Sequence, residues 1–324
     1  MPISCWIAAG LMLASTPVAA EPKPLDVEIN TPSPIDRTTF TEDVAIRTDN
    51  ANRMTVPVSV SGSGPYNFLV DTGSERTVIS RELARQLKLT SGGGAKLHSV
   101  MGANEVDTVH IPHLKVSSNA ISVSDAPALS ASNIGADGML GVDSLRSQRV
   151  LFDFKAGTMS ITPSSHRAEP MDGDTIVVRA RTRNGRLIFT QAKIAGRKVS
   201  VIVDTGSEVT IANMAMQKML AKRGHSLLPD AVTIESVTGE QMSAGVARVP
   251  EIELGAVKLK DLSVAFADAH IFRQLKLDKK PALLLGMNAM KAFDRISIDF
   301  AAKKVRFVLP GTSMRSGIRF AATN

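Results

Sequence analysis

The tetrapeptide Asp-Thr-Gly-Ser occurs twice in this chain, at Asp71-Thr72-Gly73-Ser74 and at Asp204-Thr205-Gly206-Ser207, each time between an apolar run and a Glu. The first copy follows Asn67-Phe68-Leu69-Val70 and leads into Glu75-Arg76-Thr77-Val78-Ile79. The second follows Val201-Ile202-Val203 and leads into Glu208-Val209-Thr210-Ile211. An offset of 204 − 71 = 133 residues is too long for a solenoid repeat and fits a duplicated domain. Other landmarks recur in the same order. Ser99-Val100-Met101-Gly102 is answered by Ser236-Val237-Thr238-Gly239, Met139-Leu140-Gly141-Val142-Asp143 by Leu284-Leu285-Gly286-Met287-Asn288, and Leu151-Phe152-Asp153-Phe154 by Ile298-Asp299-Phe300. The chain must therefore fold twice in the same way, and it offers two carboxylates to one site.

Each half opens with two extended runs, 54–60 and 65–70 in the first, 187–194 and 198–203 in the second. Glycine turns around Ser61-Gly62-Ser63-Gly64 and around Gly196 separate them. A helix is predicted after each motif: Ser80 is the N-cap for 81–89, and Asn213 for 214–223, with Gly224 as the stop. The rest is short, β-rich and punctuated by turns, so the fold class is all-β, two small barrels with one or two short helices each. Five segments are expected. A signal peptide covers 1–20, and a tether with Pro22, Pro24, Pro32 and Pro34 covers 21–50, its end a candidate interface strand. A first lobe covers 51–162, a linker nearly free of apolar residues 163–175, and a second lobe 176–324.

With 324 residues and 44% hydrophobic content, the chain supports two cores of about 110 to 130 residues each without disulfides. Its one cysteine, Cys5, sits in an apolar stretch at 3–14, shorter than the roughly 20 apolar residues that span a bilayer. Val18-Ala19-Ala20 is a small-residue cleavage site, so the expected location is the periplasm or cell envelope, although no Lys or Arg precedes Lys23. The formal charge of +7 could draw acidic partners such as anionic polymers or lipid headgroups, but the preferred reading is a solvated surface with excess Lys and Arg. With one Trp, one Tyr and no basic run interleaved with aromatics, no nucleic-acid partner is expected.

Two carboxylates held about 3 Å apart cannot both ionise cheaply, so they share a proton and one becomes base, the other acid. Asp71 and Asp204 would hold a water between them; this asymmetry suits peptide hydrolysis and calls for no metal, cofactor or covalent intermediate. Gly73 and Gly206 allow a tight turn and let backbone amides approach the carboxylates. Thr72 and Thr205 are placed to hydrogen-bond across a pseudo-twofold axis. Ser74 and Ser207 are expected to donate hydroxyl hydrogen bonds to the carboxylates, which would pull the dyad toward an acidic working range.

The doubled Asp-Thr-Gly-Ser, the elements Met139-Leu140-Gly141 and Leu284-Leu285-Gly286, and the intervening Gly102 and Gly239 resemble the aspartic proteases, more particularly the bacterial retropepsin-like aspartyl proteases. The resemblance covers roughly residues 51–162 and 176–310. It implies two closed barrels related by pseudo-twofold symmetry, with Asp71 and Asp204 as the dyad. Hairpin flaps would close over the substrate, their tips at 99–103 and 236–240 with Val100, Met101, Gly102, Val237, Thr238 and Gly239. Gly141 and Gly286 would give close backbone packing beside the catalytic loops. Pepsin-like relatives carry a flap tyrosine after the first motif, whereas the sole tyrosine here, Tyr66, precedes it; the chain looks like a fused retropepsin dimer. The resemblance implies an aspartic-type endopeptidase, a monomer with two lobes, that cuts an extended peptide or protein and processes exported or envelope proteins. A catalytically silent peptide-binding module of the same fold stays open as the alternative.

Other polar residues have plainer readings. His110 and His113 face opposite sides of a strand, with no acidic or Cys partner nearby in sequence. Asp143 and Asn288 are expected to be N-caps of short helices, and Asp153 and Asp299 to face outward from apolar strands. Met214, Met216, Met219 and Leu220 form an apolar helical face read as core.

Overall fold

The computed structural model describes residues 4–6, 26–29, 47–48, 54–116, 119–166, 175–228 and 231–310. Most of the expected signal peptide and tether, and most of the expected linker, lie outside the described residues. Three short strands come first: β1 (Ser4–Trp6), β2 (Asp26–Ile29) and β3 (Arg47–Thr48). The first half then runs β4 (Met54–Val60), β5 (Ser63–Val70), β6 (Val78–Ser80), α1 (Arg81–Gln86), β7 (Ser91–His98), β8 (Ala103–Val116), β9 (Asn119–Leu129), α2 (Ala131–Ile134), β10 (Gly138–Leu140), α3 (Val142–Leu145), β11 (Gln148–Asp153) and β12 (Thr158–Pro163). After β13 (Thr175–Arg179) and β14 (Arg181–Arg183), the second half repeats that order. It comprises β15 (Arg186–Ile194), β16 (Arg197–Val203), β17 (Thr210–Ala212), α4 (Met214–Ala221), β18 (Ala231–Glu235), β19 (Gln241–Leu254), β20 (Val257–Phe266), α5 (His270–Gln274), β21 (Ala282–Leu285), α6 (Met287–Met290), β22 (Arg295–Asp299) and β23 (Lys304–Val308).

Each half closes a six-stranded ring. In the first, the order β4-β5-β10-β6-β9-β8 returns to β4; in the second, β15-β16-β21-β17-β20-β19 returns to β15. Closure leaves no free sheet edge on these strands. Val56, Val58 and Val60 of β4 point into the first barrel at period two and are buried. In β10 and β21 every residue is buried, because both faces of these strands are covered. The β4–β5 and β15–β16 hairpins turn through paired left-handed residues, Ser61 (φ 50°) with Gly62 (φ 82°) and Ala195 (φ 48°) with Gly196 (φ 72°). Such primed turns match the right-handed strand twist.

Ser80 caps α1 by accepting from Leu83 N (3.1 Å), and Asn213 caps α4 by accepting from Met216 N (2.9 Å). Both helices are shorter than predicted. In α1 the chain leaves at Lys88 (φ 51°), where Leu89 N turns back to Ala84 O; in α4 it leaves before Gly224 (φ 81°), where His225 N turns back to Leu220 O. Met216 and Leu220 are buried, but Met214 is exposed, so the predicted apolar face is narrower than four residues.

The halves are joined by a five-stranded sheet, β12-β11-β22-β23-β13, in which β11 of the first half pairs antiparallel with β22 of the second. Directly opposed in that register are Arg149 and Asp299. Asp299, expected to face outward, is buried. Its Oδ2 accepts from Arg149 Nε (3.1 Å) and Nη2 (3.0 Å), and its Oδ1 from Ser164 Oγ (3.0 Å) and Ala302 N (2.8 Å). An aspartate tolerates an apolar strand here because a guanidinium faces it across the seam. One apolar cluster runs from Val56 and Phe68 through Val150 and Ile298 to Val201 and Leu285, so the seam continues both barrel cores.

Removing one member of a buried pair strands the other. Asp299→Ala is expected to cost about 3–5 kcal/mol in urea unfolding, whereas the apolar double substitution Arg149→Met/Asp299→Leu recovers most of that loss.

Candidate active site

Each Asp-Thr-Gly-Ser turn leaves the end of a barrel strand, β5 or β16, and is pinned by a neighbouring strand inserted beside it. β10 lies parallel to β5 and antiparallel to β6, and β21 lies in the same way between β16 and β17. Asp71 N donates to Leu140 O (3.0 Å) and Asp204 N to Leu285 O (3.1 Å). Past each strand the backbone stays against the loop: Val142 N donates to Ser74 O and Asp143 N to Glu75 O, as Met287 N does to Ser207 O and Asn288 N to Glu208 O. Gly141 and Gly286 permit this approach. A Cβ on Gly141 would stand 2.8 Å from Arg76 N, and one on Gly286 would stand 2.5 Å from the Val209 carbonyl carbon.

Asp143 and Asn288 are not the expected N-caps; Gly141 and Gly286 hold those positions. The two side chains instead brace the far end of the Asp-Thr-Gly-Ser loops. Asp143 Oδ1 accepts from Thr77 Oγ1 (2.7 Å) and its Oδ2 from Thr77 N (3.0 Å), while Asn288 Oδ1 accepts from Thr210 Oγ1 (2.8 Å). Each threonine in turn accepts from the glycine beside it, Gly141 N (3.1 Å) or Gly286 N (3.2 Å). The similarity of Asp and Asn at equivalent places reflects a shared acceptor oxygen.

Thr72 and Thr205 cross between lobes. Thr72 Oγ1 donates to Val203 O (2.9 Å) and accepts from Thr205 N (3.1 Å); Thr205 Oγ1 donates to Val70 O (2.7 Å) and accepts from Thr72 N (3.1 Å). This exchange sets Asp71 and Asp204 side by side, both fully buried. Asp71 Oδ1 accepts from Gly73 N (2.8 Å) and Ser74 N (3.0 Å), and Asp204 Oδ1 from Gly206 N (3.1 Å). A Cβ on Gly206 would stand 2.5 Å from Asp71 Oδ2, so only glycine lets the opposite carboxylate in. Ser74 and Ser207 do not donate hydroxyls to the carboxylates. Ser74 Oγ donates to Arg76 O (2.8 Å) and Ser207 Oγ to Val209 O (2.7 Å), which fixes the turns instead.

The outer oxygen, Oδ2, of each aspartate is buried and receives no donor from any other residue. A proton shared within the pair is the donor left to them. Burial raises Asp71 well above the usual carboxylate range, and the Asp204 charge raises it further against the backbone donor of Gly73. Burial also raises Asp204, but the hydrogen bond from Asp71, the Arg186 charge and the amides of Gly206 and Ser207 hold it back. The pair therefore keeps a shared proton above the ordinary carboxyl range. The expected acidic pull is reversed, because burial outweighs the backbone donors and the serine hydroxyls point elsewhere.

Sequence reasoning missed Arg186. It enters from the second lobe and is fully buried, with Nε donating to Gly73 O and Nη1 3.4 Å from Glu75 Oε1. One side chain of the second half thus clamps the Asp-Thr-Gly-Ser loop of the first. Burial pushes Glu75 up to about 7, against the opposing charge of Arg186. A signal for it was present: Arg186 stands 18 residues before Asp204, and Arg53, outside the described residues, stands 18 before Asp71.

The predicted flap tips are hairpin turns, β7–β8 in one lobe and β18–β19 in the other. Ser99 Oγ accepts from Met101 N and Gly102 N, and Ser236 Oγ from Thr238 N, while Gly239 takes φ 84°. Val100 and Val237 are buried in one apolar cluster with Leu69, Met139, Ile202 and Leu284 from the strands flanking the dyad. The flaps also hold each other: Glu240 accepts from Asn104 Nδ2 (3.1 Å) and Ser99 Oγ (3.4 Å). On the first flap, Val100 O accepts from His270 N (2.7 Å), and His98 Nδ1 lies 3.0 Å from His270 Nε2.

Two closed barrels, a shared sheet and a buried aspartate from each lobe define an aspartic-protease fold. The aspartyl protease family model matches residues 56–144 and again 190–289, more than half of the chain, with one Asp-Thr-Gly-Ser in each match. The chain belongs to this family, in its retropepsin-like form with two lobes in one polypeptide. No curated protein matches it.

Because the folded dyad keeps a proton that the unfolded chain has already released, stability is greatest below the ordinary carboxyl pKa and falls as pH rises through the raised values. Asp71→Asn removes that loss. The variant is expected to melt at a higher temperature than the parent at about pH 7, with the difference vanishing toward about pH 4.

Proposed function

We propose that the chain is an aspartic endopeptidase in which Asp71 and Asp204 activate one water against a peptide carbonyl. The observation that carries this reading is a pair of buried carboxylates, one from each lobe, whose outer oxygens have no partner outside the pair. The ionised member of the pair takes a proton from the water as the water oxygen bonds to the carbonyl carbon. The protonated member hydrogen-bonds the carbonyl oxygen and gives up its proton to it. The tetrahedral diol then collapses: the C–N bond breaks, the amine nitrogen takes the proton that the first member gained, and the second recovers its own from the diol. The proton count is the same at the end as at the start.

The substrate in this reading is a peptide in extended form lying under both flaps, in contact with Val100, Met101, Gly102, Val237, Thr238 and Gly239. Flap backbone bonding would supply affinity and side-chain pockets selectivity. The apolar character of the cluster beneath the flaps supports a preference for apolar side chains next to the cut. The short apolar N-terminal stretch and the Val18-Ala19-Ala20 site support an enzyme that works after export, on proteins of the periplasm or envelope.

The test is cleavage of a mixed peptide library across acid and neutral pH. Asp71→Asn and Asp204→Asn are each expected to lower kcat/KM by at least roughly a thousandfold. Cleavage that survives both substitutions contradicts the reading, and peptide binding without cleavage in the parent identifies a silent binding module. Gly206→Ala, which drives a methyl into the Asp71 carboxylate, is expected to cost roughly a hundredfold or more with peptide binding kept.

A further inference from the structure

A cavity of about 680 Å³ opens on the second lobe between the β15–β16 turn, the exposed side of α4 and the segment leading into β21. Arg197, Lys198, Lys218, Lys222, Arg223 and Lys279 supply six cations to its lining, and no acidic residue among the described residues lines it. All six are exposed. Elsewhere on this lobe the cations Lys193, Lys258 and Arg273 are matched by Glu253, Glu251 and Asp268. Among the described residues none of the six forms an ion pair. Ala215, Met219 and Pro281, each half-buried, give the cavity an apolar wall.

The C-terminal end of α4 accounts for part of this charge, since cations favour the last turn of a helix. It does not account for Arg197, Lys198 and Lys279, which arrive from a hairpin and a loop. The tight turn at Ala195-Gly196 brings the first two up against the helix. Six like charges around one concavity repel each other and focus a field that attracts anions.

The cavity is remote from the dyad. β16 starts at the rim with Arg197 and Lys198 and ends one residue before Asp204, and β21 runs parallel beside it from Pro281 toward Gly286. At about 3.3 Å per residue, strand length puts the rim roughly 20 Å from Asp204, at the opposite end of the barrel.

We propose that this cavity is a docking site for a phosphate-bearing anion. Phosphoryl oxygens would be held by the arginine forks and lysine ammoniums, with the uncharged part of the ligand against Met219 and Pro281. Arginine pairs bidentately with phosphate, and a dianionic phosphate concentrates more charge per group than a carboxylate. An acidic peptide is less well served, since the lining offers side chains but no free strand edge for its backbone. The phosphate is carried either by a lipid headgroup or by a soluble molecule, and occupancy would hold the protein by the end of the barrel opposite the dyad.

The experiment uses the full chain and two probes, inorganic pyrophosphate followed by calorimetry, and vesicles of phosphatidylcholine with or without phosphatidylglycerol followed by co-sedimentation. Lys198→Glu/Lys222→Glu tests the site. Arg181→Glu/Arg183→Glu, on exposed β14, changes net charge equally and is the control. The site variant is expected to lose at least roughly tenfold in affinity, with melting temperature and peptide cleavage unchanged, while the control keeps nearly all of it. Binding of pyrophosphate assigns a soluble phosphate; binding only to phosphatidylglycerol vesicles assigns a headgroup. Equal losses in the two variants, or no binding of either probe by the parent, overturn the proposal, and neither result bears on the dyad.

Discussion

The exchange of hydrogen bonds between Thr72 and Thr205 is the constraint on which the site depends. Each hydroxyl donates to a carbonyl of the opposite lobe, at Val203 or Val70, and accepts the opposite threonine's amide. Four bonds, all buried, define one geometry for two loops that belong to different barrels. Without them the aspartates would be two turn residues on separate domains. The surrounding parts serve that geometry: β10 and β21 pin the loops from behind, and Asp143 and Asn288 brace them through Thr77 and Thr210. The Arg149–Asp299 pair holds the seam between the halves.

A duplicated fold brings two equal parts together, yet the chemistry requires inequality. Among the described residues, the contacts around the two aspartates differ. Arg186 reaches from the second lobe to Gly73 O and Glu75 of the first. The Arg186 charge opposes the rise at both aspartates. Burial is the leading cause for each, which sets the dyad above the ordinary carboxylate range. The flaps differ too, since the first is tied to α5 through His98 and Val100, whereas Gly239 of the second sits against Asn133 of α2.

Much of this was legible in the sequence because the duplication repeats it. The order of landmarks marked two similar lobes, and the motif neighbours named the threonines and glycines whose roles depend on backbone geometry close in sequence. Contacts between distant segments were harder to read. Asp299 looked like a surface strand residue because nothing local reveals Arg149 across the seam. Asp143 and Asn288 looked like helix caps because their true partners, Thr77 and Thr210, lie 66 and 78 residues away. The serine hydroxyls were misread for the opposite reason: each turns to a carbonyl two residues on, a local bond that competes with the carboxylate. Arg186 was visible only through the matched position of Arg53, a signal carried by spacing alone.

Asp71 and Asp204 act as one proton-sharing unit in the proposed hydrolysis. This sharing is tested most directly by NMR titration of the chain labelled with carbon-13 at the aspartate carboxyl carbons. For a proton-sharing pair, two of these resonances titrate together in two steps, both displaced upward from the ordinary carboxyl range, and the Asp204 signal collapses to one step in Asp71→Asn. Two independent, single-step titrations at the ordinary value, unaffected by that substitution, would contradict the sharing.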